Sequence, residues 1–256
     1  MINRERIREL SKLSGLRPWQ LERHYLQGLL LSILSDIPVV FKGGTYLWFF
    51  HGLPRFSDDL DFTLHGPVKK NLLESISKGL YFYGFANELK ILKDDRNGIS
   101  ARYLINGPLH TSEKDRSPIY IEISKREDVV LPRLALKLDF PQYDFPVKNI
   151  LGMNLEEVAS EKVRAILTRE KGRDIFDLNF LIEKKEVKFN EDLVNIKLAF
   201  YDFKFERIQF MSKLEQMEKL YYRELKPVVL EELPDFKFAL KRIENWIGLK
   251  SQSEGV

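Results

Sequence analysis

The chain has 256 residues, 44% hydrophobic and 31% charged, with 41 basic against 38 acidic side chains and a formal net charge of +3. That length holds one large domain or two small ones with a real core, and the near balance of charge makes any nucleic-acid surface local rather than global. Cysteine is absent, which excludes disulfides, thiol catalysis and cysteine-ligated zinc and suits a reducing compartment.

The opening residues, Met1-Ile2-Asn3-Arg4, are charged early and lack the apolar core of a secretory signal, and no run reaches the length of a membrane span. A cytoplasmic protein with no membrane partner is expected. Residues 3–13 and 18–35 read as helices, the second opened by Pro18 and carrying Leu21, Tyr25, Leu29 and Ile33 at helical spacing. A DNA-reading helix pair is the competing interpretation, but the second helix is too apolar to present a groove-reading face. Val39-Val40-Phe41 follows as a short buried strand. It runs into Lys42-Gly43-Gly44-Thr45, a glycine turn that lets backbone approach phosphates, and a helix is predicted from Thr45 to Phe50.

Arg55-Phe56-Ser57-Asp58-Asp59-Leu60-Asp61-Phe62 follows, with thirteen residues, Tyr46 to Asp58, between the glycine turn and Asp59. On an extended strand, side chains two apart share a face. Leu60 and Phe62 commit one face to a core, so Asp59 and Asp61 present two carboxylates together on the other. Two like charges held that close call for a cation, and magnesium is commonly bound through one or two carboxylates plus substrate phosphates. Each half of the pattern alone has a bland explanation, a surface Asp-x-Asp and an ordinary Gly-Gly turn. Their order, strand to glycines to helix to acidic strand, favours metal-dependent nucleotidyl transfer.

Residues 67–82 return to helical period, and 87–93, 99–106, 118–124 and 133–139 read as strands extending the same sheet, the first two joined at Asp94-Asp95-Arg96-Asn97-Gly98. Glu122 is a lone acid in an apolar strand. It is either a solvent-facing residue of an alternating strand or, if that strand lies beside the Asp59/Asp61 strand, a third metal carboxylate. From about residue 153 the pattern is helical, with Asn154 as N-cap, which places a soft domain boundary near 152; the polar tail Ser251–Val256 is expected to fray. His24, His51, His65 and His110 show no metal-ligand spacing, and neither repeats nor low-complexity tracts are evident.

In the helical half, Lys162 and Arg169 lie on related faces of one helix, Gly172 ends it, and Asp174 and Asp177 sit one turn apart on the next. Ordinary surface ion pairing explains this arrangement. The functional alternative gives Lys162 a triphosphate, with Asp174 orienting it or assisting proton removal from the acceptor. Lys184, Lys185, Lys204, Arg207, Arg223 and Lys226 could line an RNA path but equally form a solvated helical surface.

Taken in order, these motifs resemble the AbiEii/AbiGii nucleotidyltransferase family, toxins of abortive-infection and MenT-type toxin–antitoxin systems. The likeness runs from about residue 14 to 185 and includes Pro18-Trp19-Gln20 with Glu22-Arg23 and Tyr25-Leu26, although His24 stands where an acid is common. The resemblance implies an α+β fold: a DNA polymerase β-like core of mixed sheet and helices over 1–152, and a helical domain over 153–256 closing an active-site cleft. It assigns Mg2+, or Mn2+ in its place, to Asp59, Asp61 and Glu122. Lys42, Gly43, Gly44, Thr45, Arg55, Ser57 and Lys162 fall to the nucleotide, and Lys162 with Asp174 or Asp177 to catalysis beside the three acids. The implied reaction moves a nucleotide from a nucleoside triphosphate to an RNA hydroxyl, the 3′ end of tRNA in MenT-type members, with a cognate antitoxin as partner. Transfer to a protein or small-molecule hydroxyl, or a non-catalytic RNA- or partner-binding role on the same scaffold, are the rivals.

Overall fold

The computed structural model describes residues 2–68 and 70–249. The tail predicted to fray, Ser251–Val256, and Lys69 of the predicted 67–82 helix lie outside the described residues. Contacts divide the chain into two compact units: Met1–Tyr46, Asp58–Val129 and Arg133–Gly152 form the first, and Leu47–Ser57, Val130–Pro132 and Met153–Val256 the second. The division is therefore not a single cut at 152, because two short segments of the N-terminal half cluster with the helical half.

The chain begins with α1 (Arg4–Ser14) and α2 (Pro18–Leu34), then β1 (Val39–Lys42), α3 (Gly43–His51), β2 (Asp59–Leu64) and α4 (Leu72–Phe82). Five strands follow: β3 (Asn87–Asp95), β4 (Gly98–Ile105), β5 (Ser117–Ser124), β6 (Leu134–Leu138) and β7 (Lys148–Gly152). Local chemistry sets the helix starts. Asn3 caps α1 by accepting from the Arg6 amide, and Pro18 opens α2 where a missing N–H costs nothing, with the Gln20 side chain accepting from the Arg17 amide.

All seven strands make one mixed sheet in the first unit, in the order β3-β4-β5-β2-β1-β7-β6. The pair β2–β5 is parallel, as is β1–β7, while the other neighbours are antiparallel. Strand β7 was not predicted, because Lys148–Gly152 is short and polar at its start. The helix expected over 67–82 begins only at Leu72.

Alternation decides which face of the sheet is buried. Ile119, Ile121 and Ile123 of β5 and Leu60 and Phe62 of β2 are at most 1% exposed, as are Leu26, Leu29 and Leu30 of α2 and Ile76 and Leu80 of α4. Each such side chain contributes about 1.5–3 kcal/mol of burial. The odd residues of β5 thus build the core, and its even residues are left to the other face.

The second unit contains α5 (Leu155–Thr168), α6 (Gly172–Lys185), α7 (Glu191–Leu198), α8 (Arg207–Glu215), α9 (Glu218–Leu225) and α10 (Phe236–Trp246). Asn154 caps α5 as expected, accepting from the Glu156 amide. Helix α6 lies against both α5 and α9. Its first residue must be glycine, since a Cβ at Gly172 would stand 2.5 Å from the Tyr221 Cα. Segment 47–57 joins this unit through main-chain bonds, Phe56 N–H to Val228 O at 2.8 Å and Leu230 N–H to Pro54 O at 3.0 Å.

Candidate active site

In the first unit strand pairing sets the expected carboxylates in register. Asp61 is in register with Lys42 on one side and with Glu122 on the other, and Asp59 with Tyr120. In-register neighbours point to the same side of a sheet, so Asp59, Asp61 and Glu122 share one face. Glu122 is the less committed of the three. Its side chain is 60% exposed and pairs with Arg126 at 3.8 Å, and its strand does lie beside the Asp59/Asp61 strand. The three-carboxylate set expected from the sequence is aligned by register but not drawn together: among the described residues no three acidic or histidine side chains are grouped to hold a metal.

Gly43 and Gly44 are not a free-standing turn. They are the first residues of α3, whose opening N–H groups lack helical partners and suit an anion. Gly43 has φ +80°, and a Cβ there would lie 2.3 Å from Asp61 Oδ2. Glycine is thus required twice, by backbone conformation and by the aspartate pressed against it. Thr45, expected at the phosphates, is fully buried, and its hydroxyl donates to the Asp59 carbonyl at 2.5 Å. Its side chain fastens α3 to β2 instead. Two hard carboxylates beside a helix N-terminus are donors of the kind that would suit a Mg2+ ion completed by substrate phosphates.

The leading helix supports this unit. Glu22, 2% exposed, accepts from the Leu109 amide at 2.5 Å and from the Ser117 hydroxyl at the start of β5. His24, at the position that departs from the family pattern, bonds the Tyr143 hydroxyl at 2.7 Å between aromatic rings. Burial lowers its pKa to about 4.

The second unit holds a closed cluster of charges. Arg55 grips Asp177 with Nε at 2.6 Å and Nη2 at 2.7 Å, at 3% and 0% side-chain exposure. Arg169 grips Asp174 in the same manner, at 2.9 and 3.0 Å. Lys162 Nζ stands between the two acids, 2.9 Å from Asp174 Oδ1 and 2.6 Å from Asp177 Oδ2. Burial pulls the lysine pKa down, but Asp174 and Asp177 outweigh it and the net direction is up. For both aspartates burial pushes the pKa up. The paired cations more than offset it, Lys162 then Arg169 for Asp174 and Arg55 then Lys162 for Asp177, and hold both below the usual range. Asp174 is accordingly a poor proton acceptor.

Arg55 was expected to face triphosphate; the structure makes it an internal tie to Asp177. Ser57 is buried in the same segment. The C-terminal basic residues are in part occupied by their neighbours, Arg207 with Glu191 and Lys184 with Glu183, as a solvated helical surface would be.

A family model described as "Nucleotidyl transferase AbiEii toxin, Type IV TA system" matches residues 25–242. The chain belongs to this family. The match reaches past residue 185, takes in α7 to α9 and ends within α10. The AbiEii chain is therefore a nucleotidyltransferase toxin of a type IV toxin–antitoxin system, for which a cognate antitoxin and nucleotide substrates are implied.

Among solved structures, MenT4, a nucleotidyltransferase toxin from Mycobacterium tuberculosis, is similar at 17% identity and TM-score 0.65, over 97% of this chain and 89% of its own. JHP933 from Helicobacter pylori shares 23% identity at TM-score 0.62, covering 90% of each chain. A putative nucleotidyltransferase from the same organism shares 24% at TM-score 0.62, over 91% of this chain and 95% of that one. These likenesses establish the α+β fold. No curated protein gave a significant match, and among the described residues no helix is long and apolar enough to cross a membrane.

Proposed function

We propose that this toxin transfers a nucleoside monophosphate from a nucleoside triphosphate to an RNA hydroxyl, most simply the 3′ end of tRNA, in a Mg2+-dependent reaction in the cytoplasm. The observation that carries the reading is the shared sheet face of Asp59 and Asp61, with Gly43 packed on Asp61 at the mouth of α3. Asp59 and Asp61 hold the ion. Magnesium, when bound, neutralises phosphate charge and lowers the pKa of the attacking hydroxyl.

The N–H groups of Gly43 and Gly44 receive phosphate oxygens. Two N–H groups of Lys162 are engaged by Asp174 and Asp177, which leaves one for the triphosphate. The two aspartates act by orienting that lysine. The hydroxyl oxygen bonds to the α-phosphorus, the bond to the β-phosphate bridge breaks, and pyrophosphate leaves. Glu122, exposed on the acidic face, takes the hydroxyl proton.

Incubating total cellular RNA with the protein, magnesium and each α-labelled triphosphate in turn tests this. Label in the tRNA band from one preferred triphosphate supports the reading. Label confined to protein or to a small molecule would replace it.

A further inference from the structure

The open face that carries Asp59 and Asp61 continues across the sheet, and the residues on it form a pattern. One row of register partners runs Asp59, Tyr120, Arg102, Lys90 over β2, β5, β4 and β3, a span of about 14 Å at the usual strand spacing. Tyr120 stands next to the metal-binding acid and is 39% exposed. The ring stands on a solvent-facing strand position between Asp59 on one side and Arg102 on the other, with Lys90 one strand beyond.

Apart from Asp59 and Asp61, the acids on this face are each met by a cation: Glu88 by Arg116 at 2.8 Å, Asp95 by Lys93 at 3.5 Å and Glu122 by Arg126 at 3.8 Å. Arg102 and Lys90 have no such partner among the described residues, and Arg102 Nε is buried without any hydrogen-bond acceptor. The Tyr120 ring and hydroxyl are likewise unused. A flat aromatic surface with two uncompensated cations beyond it matches a single nucleic-acid strand, whose bases stack on aromatic rings and whose phosphates seek cations.

We infer that Tyr120, Arg102 and Lys90 form the acceptor-strand platform: the base next to the reacting 3′ end stacks on Tyr120, and the phosphates upstream are held by Arg102 and Lys90. This rests on the proposed RNA acceptor. It adds where that RNA lies and which polarity it has, with the 3′ end at Asp59 and the strand leaving toward β3. A paired helix end cannot offer a splayed base to the ring, so the platform selects single-stranded ends.

The test uses a fluorescein-labelled twelve-nucleotide RNA ending in CCA with a free 3′ hydroxyl, its binding followed by anisotropy, and a blunt RNA duplex as comparator. Tyr120→Ala weakens binding of the single strand roughly tenfold, within the range of one lost base stack, while Tyr120→Phe binds as wild type. The double substitution Arg102→Gln with Lys90→Gln lowers affinity and reduces the salt slope by about 1.4, the value for two phosphates on a single strand. The KM for the triphosphate is unchanged in all variants, and melting curves confirm that they fold.

Equal binding by wild type and both variant sets, with RNA still labelled, would overturn the platform and leave the RNA reading intact. Equal losses in the Phe and Ala variants would also overturn stacking. Label transferred only to protein or small molecules would overturn both.

Discussion

Two clusters of charge distinguish the two units, and they use the same residue types for opposite ends. On β2, Asp59 and Asp61 lie half-buried on an open sheet face beside a helix N-terminus. In the helical unit, Asp174 and Asp177 are 2% and 0% exposed, each locked in an arginine fork and bridged by Lys162. The first pair is suited to a cation that comes with substrate. The second is neutralised internally and holds one lysine in a fixed direction. On the proposed reading, acids that receive a cation with substrate and acids that fix an internal cation differ in exposure, not in identity.

Substitutions can separate these roles. The largest effect belongs to Asp61→Asn, which is expected to lower nucleotidyl transfer by a factor of about a thousand or more, by analogy with loss of a principal electrostatic group in a catalytic site. Its melting temperature should stay within a few degrees of wild type; a collapse in stability instead would erase the contrast. Asp177→Ala should show the reverse priority. It leaves Arg55 buried without its counter-ion, a loss of about 3–5 kcal/mol, readable as a lower urea midpoint.

Arg169→Gln sharpens the comparison within the helical cluster. Its side chain is 49% exposed against 3% for Arg55, so solvent screens it and the stability change should stay under about 1 kcal/mol. Because Asp174 then holds Lys162 less firmly, the KM for triphosphate should rise by a few fold. A stability loss equal to that of Asp177→Ala would show that both forks are structural.

The smallest effect is on pH dependence. Desolvation lowers His24 and His51 to about 4 from 6.5, for His51 with a further contribution from Lys185. The unfolded chain therefore binds more protons than the folded one between those values, and stability falls as pH drops from about 6.5 toward 4. Asp174 and Asp177, held below their ordinary values, contribute stability above about pH 3.9 that is lost only in the more acidic range. Thermal melts across pH should show His24→Gln flattening the 4–6.5 stretch alone, by less than about 1.4 kcal/mol per pH unit.

Much of this was legible in the residues. Strict alternation over Asp59–Phe62 and Ile119–Ser124 identified two strands with one apolar face, and their parallel pairing placed Glu122 beside Asp61. Pro18 and Asn154 marked helix starts for local steric and hydrogen-bonding reasons, whereas Gly172, expected to end a helix, opens α6 and is glycine because Tyr221 packs against it. What one chain could not show was long-range partnership. Arg55 sits four residues before Asp59 and so reads as part of the acidic motif, whereas its partner Asp177 is 122 positions away. Thr45 reads as a phosphate ligand until Asp59 takes its hydroxyl. Tyr120 looked like an ordinary strand residue because only the register of three neighbouring strands reveals the row it belongs to.

The central claim is that Asp59 and Asp61 carry a magnesium-dependent nucleotidyl transfer. The most direct measurement follows label from an α-labelled triphosphate into RNA, with wild type and Asp59→Ala at matched folded concentration, with magnesium and with chelator. Label should appear only with wild type and magnesium. Transfer undiminished in Asp59→Ala, or undiminished by the chelator, would contradict the claim.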